Sequence, residues 1–212
     1  MICVVLRVLK KGSLAIFLTE KYGKVIAHYS AAKDYMELFP GALVSAEYAV
    51  LNTSKYPFLK SLHIVCAPRP TGLRSYYFLQ FFLDAVYFFL PQGQPAPEVF
   101  EFMQSAIDSD VIVWCERYPF FGAIFSLGLL RFLGFFIPES LYTLSLGVED
   151  DLKKILASGE PQNTALHQEM MLKYAAASTQ IFAWVFQAFK EYPQSKKIEN
   201  LLITMRNEKV WG

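Results

Sequence analysis

Six residues, "PRPTGL" at 68–73, divide this chain into two parts that obey different periodicities. Two prolines and a glycine so close together interrupt strand and helix alike. Before them, apolar residues come in short β-branched runs separated by turn residues. After them, apolar residues recur at helical spacing over much longer stretches. A chain that places its strands first and its helices second folds as α+β, not as the alternating crossovers of a parallel sheet.

The first part reads as five strands. These are "ICVVLRVL" (2–9), "LAIFLTE" (14–20), "VIAHYS" (25–30), "ALVSAEYAVL" (42–51) and "SLHIVCA" (61–67). "KKGS" (10–13), "KYGK" (21–24) and "NTSKYP" (52–57) are turns, and Gly23 can take the positive φ of a hairpin. Five short strands with turns between them predict a small barrel. The OB-fold is one such barrel; a five-stranded SH3-like barrel has the same pattern.

The second part reads as helical. "RSYYFLQFFLDAVYFFL" (74–90) is apolar on nearly every side, as a buried helix is. "PQGQPAP" breaks it, and Val99, Phe100, Met103 and Ile107 then mark an amphipathic helix over 97–107. A third helix begins near Asp110 and is interrupted at Pro119. After Pro138, "ESLYTLSLGVEDD" reads as a loop or short element, followed by a short helix at 151–158. A long helix covers 164–192, and "SKKIENLLITMRNEK" closes the chain. The expected organisation is a barrel over 1–72 and an all-α domain over 73–212.

The run Phe120–Ile137 has 18 residues and one charge, Arg131. A membrane helix needs about 20 apolar residues, and an arginine near the middle costs roughly 2.5–3.5 kcal/mol. A membrane-associated helical protein with a small β domain is therefore the alternative, and a buried helix of a helical domain the expectation. A buried Arg131 must then be paired, or must line a pocket open to an anion.

Charge separates the two parts again. Residues 1–74 hold ten basic and four acidic residues, 10 − 4 = +6, and the remainder 10 − 15 = −5. Such asymmetry suits a polyanion partner for the first part, although lysines also line strand edges for solubility. The basic residues are interleaved with Phe17, Tyr22, Tyr29 and Tyr35, the mixture by which barrels hold single strands. Candidate DNA-binding residues are Arg7, Lys10, Lys11, Lys21, Lys24, Lys33 and Tyr29. Cys3, Cys66 and Cys115 form no Cys-x-x-Cys pair, so no zinc ribbon or dithiol is written here, and no metal or cofactor is expected. An odd count and an N-terminus that reads as a strand fit a reducing cytosol. His28, His63 and His167 belong to no hydrolase, protease or phosphate-loop motif, and no enzyme is expected.

The order of elements resembles the RecO family of DNA repair and recombination mediators. "VVLRVLKKGSLAIFLTEKYGKVIAHYSAAK" (4–33) is similar to that family's opening, with Leu18, Thr19, Glu20, Gly23 and Lys24 in matching positions. Of its basic run, Lys33 remains. "FSLGLLRFLGFFIPESL" (125–141) resembles the family's leucine-rich helix ending in glycine and proline, through Phe125, Leu127, Leu130, Leu133, Gly134, Phe135, Pro138 and Leu141. "SKKIENLL" is like its closing segment. Many members carry a four-cysteine zinc site after that motif; here "YTLSLG" follows, so the resemblance implies no zinc and a trimmed subdomain near 139–163. It further implies an N-terminal OB-fold and a cytoplasmic, nucleoid-associated protein that binds single- and double-stranded DNA. Such a protein anneals complementary strands and helps load recombinase on single strands coated by single-strand-binding protein. The implied partners are RecR and the acidic, hydrophobic tail of single-strand-binding protein, for which Arg131 and Arg117 are the candidate contacts.

Overall fold

The computed structural model describes residues 1–10, 13–29, 37–49, 55–108, 111–158, 164–191, 196–208 and 210. The chain forms two compact units. One comprises Met1–Pro68 with Val86–Asp108, the other Arg69–Ala85 with Ser109–Gly212.

In the first unit five strands close into a barrel: β1 (Ile2–Lys10), β2 (Leu14–Thr19), β3 (Gly23–Tyr29), β4 (Leu43–Ala49) and β5 (Phe58–Cys66). Their order around the barrel is β1-β2-β3-β5-β4. All neighbours are antiparallel except β3 and β5, which pair in parallel at His28↔Phe58 and Tyr29↔Leu59. The fold is thus α+β, an OB-like barrel followed by helices. A parallel closing pair is not what an up-and-down run of hairpins makes, so the topology departs from the SH3-like alternative.

Strand alternation decides which side chains fill the barrel. Along β3, Val25, Ala27 and Tyr29 point inward while Lys24, Ile26 and His28 are half-buried. The inward set joins Val5, Ala15, Phe17, Val44, Leu59 and Leu62 in one core cluster. Helix α1 (Leu73–Phe89) contributes its last residues to this unit, and α2 (Pro97–Asp108) buries the predicted Val99, Phe100, Met103 and Ile107. Cys3 is buried, and burial pushes its thiol up to about 12. Such a thiol is unreactive at neutral pH.

The second unit is helical: the first part of α1, then α3 (Val111–Arg117), α4 (Pro119–Phe132), α5 (Glu139–Ser158), α6 (Thr164–Lys190) and α7 (Lys196–Asn207). Aromatic rings make its core, with Phe81 and Phe189 edge-on at 5.5 Å and Phe82 and Phe125 at 6.5 Å. The start of α1 is capped from another helix. Glu116 of α3 accepts the Ser75 backbone N–H at 2.8 Å, one of the donors a helix start leaves unsatisfied.

The long apolar run is shorter as a helix than as a sequence. α4 stops at Phe132 because Gly134 turns to φ +81°. The Gly134 N–H donates to the Arg131 carbonyl and the Phe135 N–H to the Leu130 carbonyl, both at 3.0 Å, the paired bonds of a glycine-terminated helix. Phe136 beyond it is 87% exposed. Among the described residues no helix is long and apolar enough to cross a membrane. Arg131 donates to the Ser145 backbone carbonyl of α5. Its guanidinium thus joins the end of α4 to α5 through a main-chain acceptor, which neither sequence expectation for this residue included.

One expectation needs correction. Residues 139–150 are not a loop or short element, and 151–158 are not a separate helix. They form one helix, α5. Leu141, Val148, Leu152 and Ile155 are buried at helical spacing and make a single stripe. Gly147 lies mid-helix, where a side chain would approach the Lys173 ammonium to 3.0 Å.

Candidate nucleic-acid interface

Ser13, just before β2, and Pro57, just before β5, both bond to the end of β3. Ser13 accepts the Tyr29 N–H at 3.1 Å through its carbonyl. Pro57 likewise accepts the His28 N–H at 2.9 Å. The same Ser13 carbonyl lies 3.1 Å from His28 Nδ1. A carbonyl only accepts, so Nδ1 carries the proton and Nε2 is left as the nitrogen able to meet a ligand. The His28 ring stands 5.8 Å from that of Tyr56, at 60°. Lys55 places its ammonium 5.5 Å from the Tyr56 ring centroid. Lys10 joins the cluster by its backbone, its carbonyl accepting the Ser13 N–H at 3.1 Å. In OB-type barrels the face of β2–β3 and the β1–β2 and β4–β5 connections are where oligonucleotides and oligosaccharides bind. Lys10 and Lys55 are exposed, as is Lys60 on β5, whose strand partner Glu47 carries the opposite charge.

The structure distributes the sequence-predicted residues unevenly. Lys10 and Lys21 face solvent. Lys21 borders a cavity of about 160 Å³ lined also by Met1, Ile2, Glu20, Phe100 and Gln104, smaller than ordinary ligand sites. Arg7 and Lys24 are engaged within their own unit. The Arg7 guanidinium lies 4.0 Å from the Tyr87 ring centroid, a cation–π contact. The half-buried Lys24 ammonium donates to the Tyr87 carbonyl. That carbonyl is among the last four of α1, where a cation also complements the helix dipole. Burial lowers the Lys24 pKa below the usual lysine value. Both cations therefore hold a helix end against the barrel.

Tyr29 is 4% exposed, edge-on to Phe17 in the barrel core at 6.3 Å. A ring so placed can stack on a base only if the barrel opens. Lys11 and Lys33 lie outside the described residues. In the helical unit Arg117 ends α3 and is exposed, and Arg131 is half-buried against Ser145.

His28, Lys55 and Tyr56 are absent from the sequence-predicted set. The signal for two of them is present: "SKYP" puts a cation and an aromatic in a turn, the mixture that elsewhere marked candidates. His28 follows from strand alternation alone, since Tyr29 inward puts its neighbour outward. Neither the comparison with protein-family models nor that with curated proteins finds a match, so the likeness to the RecO family rests on the residues quoted above.

Proposed function

We propose that this protein is a non-enzymatic recombination mediator of RecO type. In this reading it binds single- and double-stranded DNA through its barrel and anneals complementary strands. It also helps load recombinase on single strands coated by single-strand-binding protein. The observation that carries the reading is the cluster of His28, Tyr56 and Lys55 at the end of β3, joined there by Ser13, Pro57 and the Lys10 backbone, in an OB-like barrel. The +6 balance of residues 1–74 supports an anionic ligand. The quoted resemblance supplies the partners: RecR, and the tail of single-strand-binding protein with the exposed Arg117 and the half-buried Arg131 as its contacts. It also supplies the cytoplasmic, nucleoid-associated setting.

A salt titration of single-stranded DNA binding tests the DNA reading. Three or four lysine–phosphate contacts give a slope of log K on log salt of roughly −2 to −3. Charge reversal of Lys10, Lys21, Lys55 and Lys60 together should abolish binding. Unchanged affinity in that variant overturns the assignment. Annealing of complementary strands, with and without single-strand-binding protein, tests the mediator role.

A further inference from the structure

We infer that His28 and Tyr56 form a base-stacking step on the barrel, taking an unpaired nucleobase, with Lys55 and Lys10 beside it for the flanking phosphates; this rests on the DNA reading above. Three observations converge on it. The aromatic that sequence pattern favours for stacking, Tyr29, is sealed in the core. Two of the favoured cations, Arg7 and Lys24, are committed to the end of α1. Among the described residues, the end of β3 carries an aromatic–cation group of His28, Tyr56 and Lys55, with the two rings 5.8 Å apart and the Lys55 ammonium 5.5 Å from the Tyr56 centroid; the Lys21–Tyr22 pair lies before the start of the same strand.

The step is also held in place. The His28 ring is oriented by the Nδ1 proton on the Ser13 carbonyl, and its backbone is pinned to Pro57. Tyr56 precedes that same Pro57, so the backbone bond from His28 also holds the residue next to Tyr56. A platform fixed before the ligand arrives loses less freedom on binding. A flat ring accepts any base, so the ligand class is a single strand with little sequence preference. Duplex DNA keeps its bases stacked on one another and offers the step no face.

The test uses the full chain, a short oligothymidylate and its abasic counterpart, with binding read by fluorescence anisotropy. Tyr56→Ala should weaken oligothymidylate binding about tenfold or more. It should leave the salt slope unchanged, because no phosphate contact is lost. Lys55→Ala should instead flatten the slope by about 0.7. The abasic strand should bind wild type and Tyr56→Ala alike, since it has phosphates but no bases. Tyr56→Phe should bind as wild type, which separates loss of stacking from loss of fold. Oligothymidylate affinity unchanged in Tyr56→Ala, with wild type still binding in a salt-dependent manner, overturns the step and leaves the DNA reading standing. Wild type that binds neither strand overturns both.

Discussion

Gly23 and Gly134 take positive φ values, +61° and +81°, yet a methyl group would meet different surroundings at each. At Gly134 nothing lies within 4 Å of the added carbon. Gly134→Ala should therefore cost only the left-handed backbone term, about 1–2 kcal/mol. At Gly23 the added carbon would sit 1.7 Å from the Gln94 carbonyl oxygen. Gly23→Ala must displace backbone as well and should cost about 3 kcal/mol or more. Urea unfolding of the two variants measures the difference. Equal losses would mean that the close approach at Gly23 contributes nothing. The same scale explains the misplaced tyrosine. Tyr29 and His28 are adjacent and both suit a strand, and only the inward register of Val25 and Ala27 decides which one meets solvent.

Between elements, the pairing of α5 with α6 depends on one acid. Asp151 is buried, and its Oδ2 accepts from the Tyr174 hydroxyl at 2.6 Å and the Lys173 ammonium at 2.5 Å. Burial pushes its carboxyl pKa up, but the hydrogen bonds from Lys173 and Tyr174 and the lysine charges outweigh that, so it ends below the usual carboxylate value. A carboxylate with a depressed folded-state pKa adds stability above its unfolded value, near 4. That stability is lost as pH falls through the folded value. Asp151→Asn should cost about 1–3 kcal/mol at neutral pH. The gap in melting temperature between variant and wild type should narrow below about pH 4. A gap that stays constant down to pH 3 would refute the charge's role. This pairing also shows why α5 was hard to read as one helix. Gly147 and the polar run after it look like a break. The lysine that occupies the space above the glycine comes from a different helix.

Across the chain, the order of strands and helices was legible because it depends on local periodicity and punctuation. All five strands and the helices expected at 74–90, 97–107 and 164–192 appear within a few residues of their expected limits. Pairing was not legible. The β3–β5 contact joins segments with no local signal for each other. The fate of Lys24 is decided by a residue 63 positions away. Candidate cations were read from composition, but the choice between solvent and a helix end is made in three dimensions. The break at 68–73 also hides a dependency, because Val86–Asp108 belongs with the barrel. A fragment of residues 1–72 loses Tyr87, Gln92 and Gln94. It should melt at lower temperature and be cleaved sooner by protease than the barrel of the full chain. A fragment as resistant as the intact protein would show that the later segment is dispensable. One consequence concerns association between molecules. β3 pairs with β5 only at its last two residues, and Gln92 forms a parallel bridge with Lys24 near its start, with the Gly93 N–H donating to the Lys24 carbonyl at 2.9 Å. That bridge occupies backbone groups which an uncovered strand would offer to a second chain. The short segment after α1 thus covers backbone groups of β3, and a variant that loosens it should show oligomers on size-exclusion chromatography before it loses its fold.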